Sequence, residues 1–361
     1  MRTVKTENTA DMESGTADMA NLEDACADMV GIGNAAHPAE LANPAGQLAG
    51  FQLAGIQLAE IPPATLLKGR TAAGETRWFY SDERPVVLPS GAAASGVPSA
   101  PSVLLRVLPP ETGLGDLLAL PRAELQALLA TQPAAVEPPA ELLAPVDGGT
   151  EVWAAGVTYL VSKQARMEES AEADVYDRVY QAQRPELFFK AVGWRVSGPS
   201  GPVGIRCDSP LNVPEPEAAL VLNSAGDIVG FTVGNDMSSR SIEGENPLYL
   251  PQAKVYRHSC AVGPWIRMAW AVRDPEDMSI DIGISRSGQV VWKGSTSTSQ
   301  LKRGFGELAS YLFRADVFPR GAVLLTGTSA VPGMDFSLLD GDVVRIDVGG
   351  VGSLSNVVVT V

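Results

Sequence analysis

Histidine and cysteine are the scarce residues of this 361-residue chain: two histidines (His37, His258) and three cysteines (Cys26, Cys207, Cys260). Two histidines leave almost no material for a histidine-based triad or a multi-histidine zinc site. Three cysteines with no CxxC spacing give no even disulfide framework and point to a reducing compartment. Cys207 and Cys260 read as small buried apolar residues. Basic residues are also in deficit, 27 Lys and Arg against 42 Asp and Glu, a formal net charge of −15. That balance argues against a nucleic-acid partner, because readers of the phosphate backbone need a basic face. No apolar run reaches transmembrane length, and MRTVKTENTADMESG has no apolar leader region, so the expectation is a cytoplasmic protein with no membrane partner.

What is present is ordinary globular composition, 45% hydrophobic and 19% charged, in a chain long enough for two domains. Residues 1–48 are acidic, lack aromatics and repeat TADM at Thr9 and Thr16, which reads as a disordered extension. Residues 49–145 read as a small N-terminal domain. Its short strands are FQLAGIQLAEI, ETRWFYSD and PSVLLRVLP, followed by a helix at LPRAELQALLATQ. Prolines and glycines cluster near residues 143–149 and mark a boundary. Residues 146–361 read as a mainly β domain with one helix over 298–314, giving an α+β chain overall. GGVGS (349–353) lacks the strand-to-helix context of a phosphate loop and reads as a tight turn. Trp153, Trp194 and Trp265 read as core.

VPEPEAALVLNSAGDIVGFTVGND (213–236) carries the chemistry. Alternate residues of a strand share a face, so Glu215 and Glu217 point the same way. A hairpin closed about Ala225-Gly226 counts Ser224 opposite Asp227 and Glu215 opposite Asp236. Three carboxylates then converge, and their repulsion is relieved by a dication. All-oxygen ligands favour Mg²⁺, with Mn²⁺ or Ca²⁺ as alternatives, over zinc. A β-bulge would shift this register, and the competing reading is a solvated acidic rim.

These stretches, with PQAK (251–254), VFPRGAVLLTGTSAVPG (317–333) and LLDGDVVRIDVGGVGSLSN (338–356), resemble the fumarylacetoacetate hydrolase superfamily from about residue 143 to the C-terminus. EVWAAGVTYLVSKQARMEES, YDRVYQAQRPELFFKA and SIEGENPLYLPQAKVY are most similar to its 2-keto-3-deoxy-D-arabinonate dehydratase-like branch. The resemblance implies a rolled β-sheet catalytic domain, a homodimer or homotetramer, and a divalent metal on Glu215, Glu217 and Asp236. Lys254 and Lys190 match active-site lysines of the family, and Thr328 is implied to face a substrate carboxylate. Many hydrolases of the superfamily carry a histidine where this chain has Ser162, so water-driven C–C cleavage loses its usual base.

The expected activity is therefore dehydration of a 2-keto-3-deoxy sugar acid, the small-molecule 2-keto acid being the partner. Lys254 or Glu186 abstracts the C3 proton, with Ser162, Arg166 and Glu169 near the substrate and Arg166, Glu168 and Glu169 on a covering segment. The alternative is hydrolysis of an acylpyruvate, with His258 or Glu169 activating water. A third reading is a non-catalytic metal-binding relative.

Overall fold

The run AALVL in the hairpin has no polar alternation, the pattern of a strand buried on both faces. The computed structural model of the protein describes residues 61–86, 102–135, 137–159 and 178–361. The extension over 1–48, His37, the strand expected from Phe51, and Ser162, Arg166, Glu168 and Glu169 lie outside the described residues.

The strands run β1 (Thr65–Arg70), β2 (Thr76–Val86), β3 (Ser102–Val107), β4 (Glu141–Leu142), β5 (Glu151–Gly156), β6 (Glu186–Val192), β7 (Pro202–Ile205) and β8 (Asn212–Val213). They continue as β9 (Pro216–Leu222), β10 (Ile228–Asp236), β11 (Ser238–Ser239), β12 (Cys260–Met268), β13 (Ser279–Arg286), β14 (Gln289–Ser297), β15 (Ala322–Leu325), β16 (Val343–Val348) and β17 (Gly352–Thr360). The helices are α1 (Leu114–Leu118), α2 (Arg122–Ala130), α3 (Arg240–Glu245), α4 (Leu250–Lys254) and α5 (Phe305–Leu312). The mainly β, α+β class expected from the sequence is what the chain forms.

A large sheet has the order β3-β2-β1-β12-β10-β9-β15-β5-β6, with β4 beside β1. It takes strands from both sides of residue 145. A five-stranded sheet, β14-β13-β16-β17-β7, covers one face. Leu220, Leu222, Phe231 and Val233 of the large sheet pack there with Ile280, Ile282, Ile346 and Leu354 of the small one. The other face buries Ala219, Val221, Val262 and Leu325 against Leu114, Leu117, Leu125 and Leu129 of α1 and α2. Every residue of β9 is buried. Each large aliphatic side chain so buried contributes about 1.5–3 kcal/mol.

The hairpin differs from the simple count in two places that cancel. Asn223 N donates to Asp227 O at 3.0 Å, so residues 224–226 form a three-residue loop, one longer than expected. Gly226 sits at φ +83°, the left-handed position such loops need, and Asn223 Oδ1 accepts from Ala225 N and Asp227 N. A bulge between the Ile228–Leu222 and Gly230–Val221 pairs then absorbs the extra residue. Beyond it Gly234 faces Glu217 and Asn235 faces Pro216, and Asp236 N donates to Glu215 O at 3.0 Å.

Other expectations need correction. The helix expected over 298–314 is confined to 305–312, because Gly304 takes extended backbone as its N-cap, and Leu301 bridges to Tyr159 instead. Trp194 is 66% exposed rather than core. Cys207 is half-buried rather than buried, while Cys260 is a buried free thiol, its pKa pushed up to about 12 chiefly by burial. Gly349 and Gly350 do form the turn between β16 and β17, as read. No helix among the described residues is long and apolar enough to cross a membrane.

Candidate active site

The ends of five large-sheet strands meet at one cavity: the starts of β6 and β9 and the exits of β5, β10 and β15. Its lining includes Gly156, Glu186, Phe188, Glu215, Asp236 and Lys254. Parallel pairing of β5 and β15 brings both exits to the same side.

Glu215, Glu217 and Asp236 are all buried, and each offers a carboxylate oxygen within 4.8 Å of the others. The solvated-rim reading is therefore excluded: the two-faced burial of β9 carries its leading carboxylates inside. Pro216 has no N–H for the ladder. The neighbouring Glu215 N–H is taken up by the Asn235 side-chain oxygen at 3.3 Å, which pins the strand entry.

Two buried lysines close on the same carboxylates. Lys190 Nζ lies 2.5 Å from Asp236 Oδ1. Its directed hydrogen bonds go to the carbonyls of Met237 (2.8 Å) and Lys254 (2.5 Å), so the contact with Oδ1 is an ion pair without hydrogen-bond geometry. Lys190 is the unpaired extra residue where the β5–β6 register shifts, the place where a bulge re-aims a side chain. Lys254 ends α4, and its Nζ lies 2.9 Å from Glu215 Oε2 and 3.2 Å from Asp236 Oδ2.

Glu217 has neither lysine within salt-bridge distance, and its Oε2 accepts from Gly327 N at 2.6 Å. Burial, with Asp236 and Glu215 beside it, holds its carboxyl well above the ordinary carboxylate range, against the opposing pull of the Gly327 N–H and Lys254. Burial and the Glu217 charge push the neighbouring Tyr159 phenol up as well. Three carboxylates against two ammonium groups leave an excess negative charge in a buried site. A hard dication on oxygen ligands fits that set, and Glu217 is where its charge is most needed.

Glu186 faces Gly156 across the β5–β6 ladder and lines the cavity. Thr328 lines it too, its Oγ1 accepting from Ala330 N at 3.2 Å. Lys190 is not part of the lining; it sits behind Asp236. His258, the alternative water-activating base, lies elsewhere: its Nδ1 is 3.4 Å from Ser197 Oγ, and burial lowers its pKa. It does not line the cavity, because β12 turns it toward β7.

Arg240 and Glu243 on α3 also line the cavity and were not singled out from the sequence. Their helix has six residues, too few for its periodicity to stand out. The available signal was two charged residues at i, i+3 just after Asp236. Strand β12 was missed as well, because Gly263-Pro264 interrupts its apolar run. In the structure Gly263 pairs with Val233 and Pro264 falls just beyond it, where the β10–β12 register shifts and no ladder donor is required.

Comparison with known proteins agrees with this geometry. Residues 216–359 match the family model "Fumarylacetoacetate (FAA) hydrolase C-terminal". The Haloferax volcanii "Probable 2-keto-3-deoxyxylonate dehydratase" is 52% identical over 217 residues, 60% of this chain and 74% of that protein. The Saccharolobus solfataricus 2-dehydro-3-deoxy-D-arabinonate dehydratase is 41% identical over 208 residues, 56% of this chain and 70% of that protein. A solved structure of 2-keto-3-deoxy-D-arabinonate dehydratase complexed with magnesium and 2,5-dioxopentanoate superposes with a TM-score of 0.67 at 30% identity. It covers 82% of this chain and 99% of that one. With a relative this similar over nearly three quarters of its length, the chain belongs to the fumarylacetoacetate hydrolase superfamily.

Proposed function

We propose that this protein is a magnesium-dependent hydro-lyase converting a 2-keto-3-deoxypentonate into 2,5-dioxopentanoate. The observation that carries the reading is the buried cluster of Glu215, Glu217 and Asp236 with Lys190 and Lys254, set at a cavity that Glu186 also lines. The dehydratase relatives at 52% and 41% identity, and the structural neighbour complexed with magnesium and 2,5-dioxopentanoate, support the same chemistry.

Glu215, Glu217 and Asp236 would hold the Mg²⁺, and their oxygen set also suits Mn²⁺ or Ca²⁺. Magnesium bound there supplies a Lewis acid for the 2-keto oxygen and the enolate charge that develops. Glu186 is the candidate base for the C3 proton, as a carboxylate that lines the same cavity. Lys254 has its ammonium held by Glu215 and Asp236, which suits it to give a proton rather than take one. It would protonate the departing C4 hydroxyl, so that C3–H and C4–O break and water leaves. The unsaturated alcohol then tautomerises to the C5 aldehyde. Lys190 balances Asp236 and ties the end of β10 to α4 without touching substrate. Thr328 would meet the substrate carboxylate. The same proposal takes in Ser162, Arg166 and Glu169 near the substrate, the division at residue 145, a cytoplasmic location and a homodimer or homotetramer.

The test is incubation of the purified protein with 2-keto-3-deoxypentonates and Mg²⁺, with and without chelator. The expected result is Mg²⁺-dependent 2,5-dioxopentanoate. No metal-dependent aldehyde from any stereoisomer would sink the proposal.

A further inference from the structure

We infer that Glu243 reads the C5 hydroxyl of the substrate and turns away keto acids that carry a second carboxylate at that position. The inference rests on the dehydratase reading above and adds the determinant of substrate class. Glu243 and Arg240 sit one turn apart on α3, which begins four residues after Asp236, and both line the cavity while being buried. Each is fixed by a bond to its own surroundings. Ser238 Oγ donates to Glu243 Oε2 at 2.8 Å, and Arg240 Nη1 donates to Pro332 O at 2.5 Å.

The triad end of the cavity accounts for the keto and carboxylate oxygens of a 2-keto acid. A five-carbon sugar acid has two more polar groups to satisfy once it is buried. The C4 hydroxyl must leave as water, so its partner has to give a proton. The C5 hydroxyl is retained and donates its own, so its natural partner is an acceptor. Glu243 already accepts a hydroxyl hydrogen from Ser238, which marks it as an acceptor in this wall. Arg240 beside it supplies donors for the lone pairs of the same hydroxyl.

A wall built to hydrogen-bond a hydroxyl discriminates strongly against an analogue lacking it. A buried carboxylate at the same place opposes a ligand carboxylate, since like charges in a water-poor cavity repel with little screening. Glu243 therefore does both tasks: it favours a terminal alcohol and disfavours a terminal acid. That selects hydroxylated monocarboxylates over dicarboxylic keto acids of the same length.

The experiment compares wild type and Glu243→Gln, both with Mg²⁺. The substrates are a 2-keto-3-deoxypentonate and 4-hydroxy-2-oxopentanoate, which keeps the C4 hydroxyl and has a methyl at C5. Binding of pyruvate and 2-oxoglutarate is measured by calorimetry as a readout independent of turnover. The ratio of kcat/KM for the two substrates should fall about 10–100-fold in the variant. 2-Oxoglutarate should bind at least about tenfold more tightly, and pyruvate should keep its Kd within about twofold. An equal loss on both substrates, or no gain for 2-oxoglutarate, overturns the inference and leaves the dehydratase reading standing. Loss of pyruvate binding overturns it too, by making Glu243 a structural residue. A wild type that turns over neither hydroxy acid removes the dehydratase reading and this inference together.

Discussion

Gly156 stands directly across the ladder from Glu186, and a β-carbon on Gly156 would fall 2.2 Å from Glu186 Oε2. The atom it would meet is the far end of a flexible side chain, so the backbone need not move. Gly156→Ala should therefore keep the fold, with a Tm within about 3 °C of wild type, while kcat drops about 100-fold or more as Glu186 is pushed aside. Glu186→Gln should lose at least as much, and the double variant should lose no more than Glu186→Gln alone. Steady-state kinetics with thermal melts checks this, and an additive double variant would separate the two residues.

Gly327 gives the opposite outcome for the same substitution. It sits at φ +88°, and an added β-carbon would lie 2.0 Å from Thr158 Oγ1 and 3.0 Å from the Ala155 carbonyl. Its N–H is also the donor on Glu217. Gly327→Ala should cost about 2–4 kcal/mol of stability and weaken Mg²⁺ binding, read by denaturant unfolding and metal titration.

Lys190→Met removes a fully buried ammonium and leaves Asp236 and two carbonyls without it. The metal-free protein should lose about 3–5 kcal/mol. Mg²⁺ should recover more stability in this variant than in wild type, because a dication takes over the charge balance. Unfolding with and without Mg²⁺ measures both terms, and equal Mg²⁺ stabilisation of the two proteins would contradict it.

Glu217 sets a pH dependence. Burial, with Asp236 and Glu215 beside it, holds its carboxyl above the ordinary carboxylate range, so its ionisation opposes folding. That penalty is absent below the unfolded pKa and complete once pH exceeds the folded pKa. A proton and Mg²⁺ then compete to relieve it. Thermal shift should show a larger Mg²⁺-induced rise in Tm at about pH 8 than at about pH 5.5. Replacing Glu217 with Gln should flatten that difference.

The carboxylate cluster was legible in the sequence because strand alternation and hairpin pairing are simple rules. The Glu215–Asp236 opposition nevertheless holds for a reason the count did not contain. The loop over 224–226 is one residue longer, and the bulge after Ile228 takes that residue back. Loop length depends on Asn223 closing an Asx turn, and the bulge on packing across β9, so neither shows as periodicity. Lys190 and Lys254 were visible only through resemblance, since an isolated lysine near an apolar run is usually solvated. Arg240 and Glu243 left only a faint i, i+3 signal because α3 is short, and β12 was hidden because Gly263-Pro264 looks like a turn. Parallel pairing of β5 with β15 joins residues near 153 to residues near 324, a relation no local pattern encodes.

That parallel pairing also governs the order in which the centre can assemble. The acidic hairpin closes from neighbouring chain, so its side chains can meet early. Gly327 must arrive with the last strands, Lys190 comes from the far edge of the sheet, and both wait on long-range closure, which is slow. A growing chain thus carries a patch of concentrated negative charge before the groups that quiet it are in place. Dissolved divalent cations are the species free to shield it during that interval, so refolding should be faster when they are present from the start.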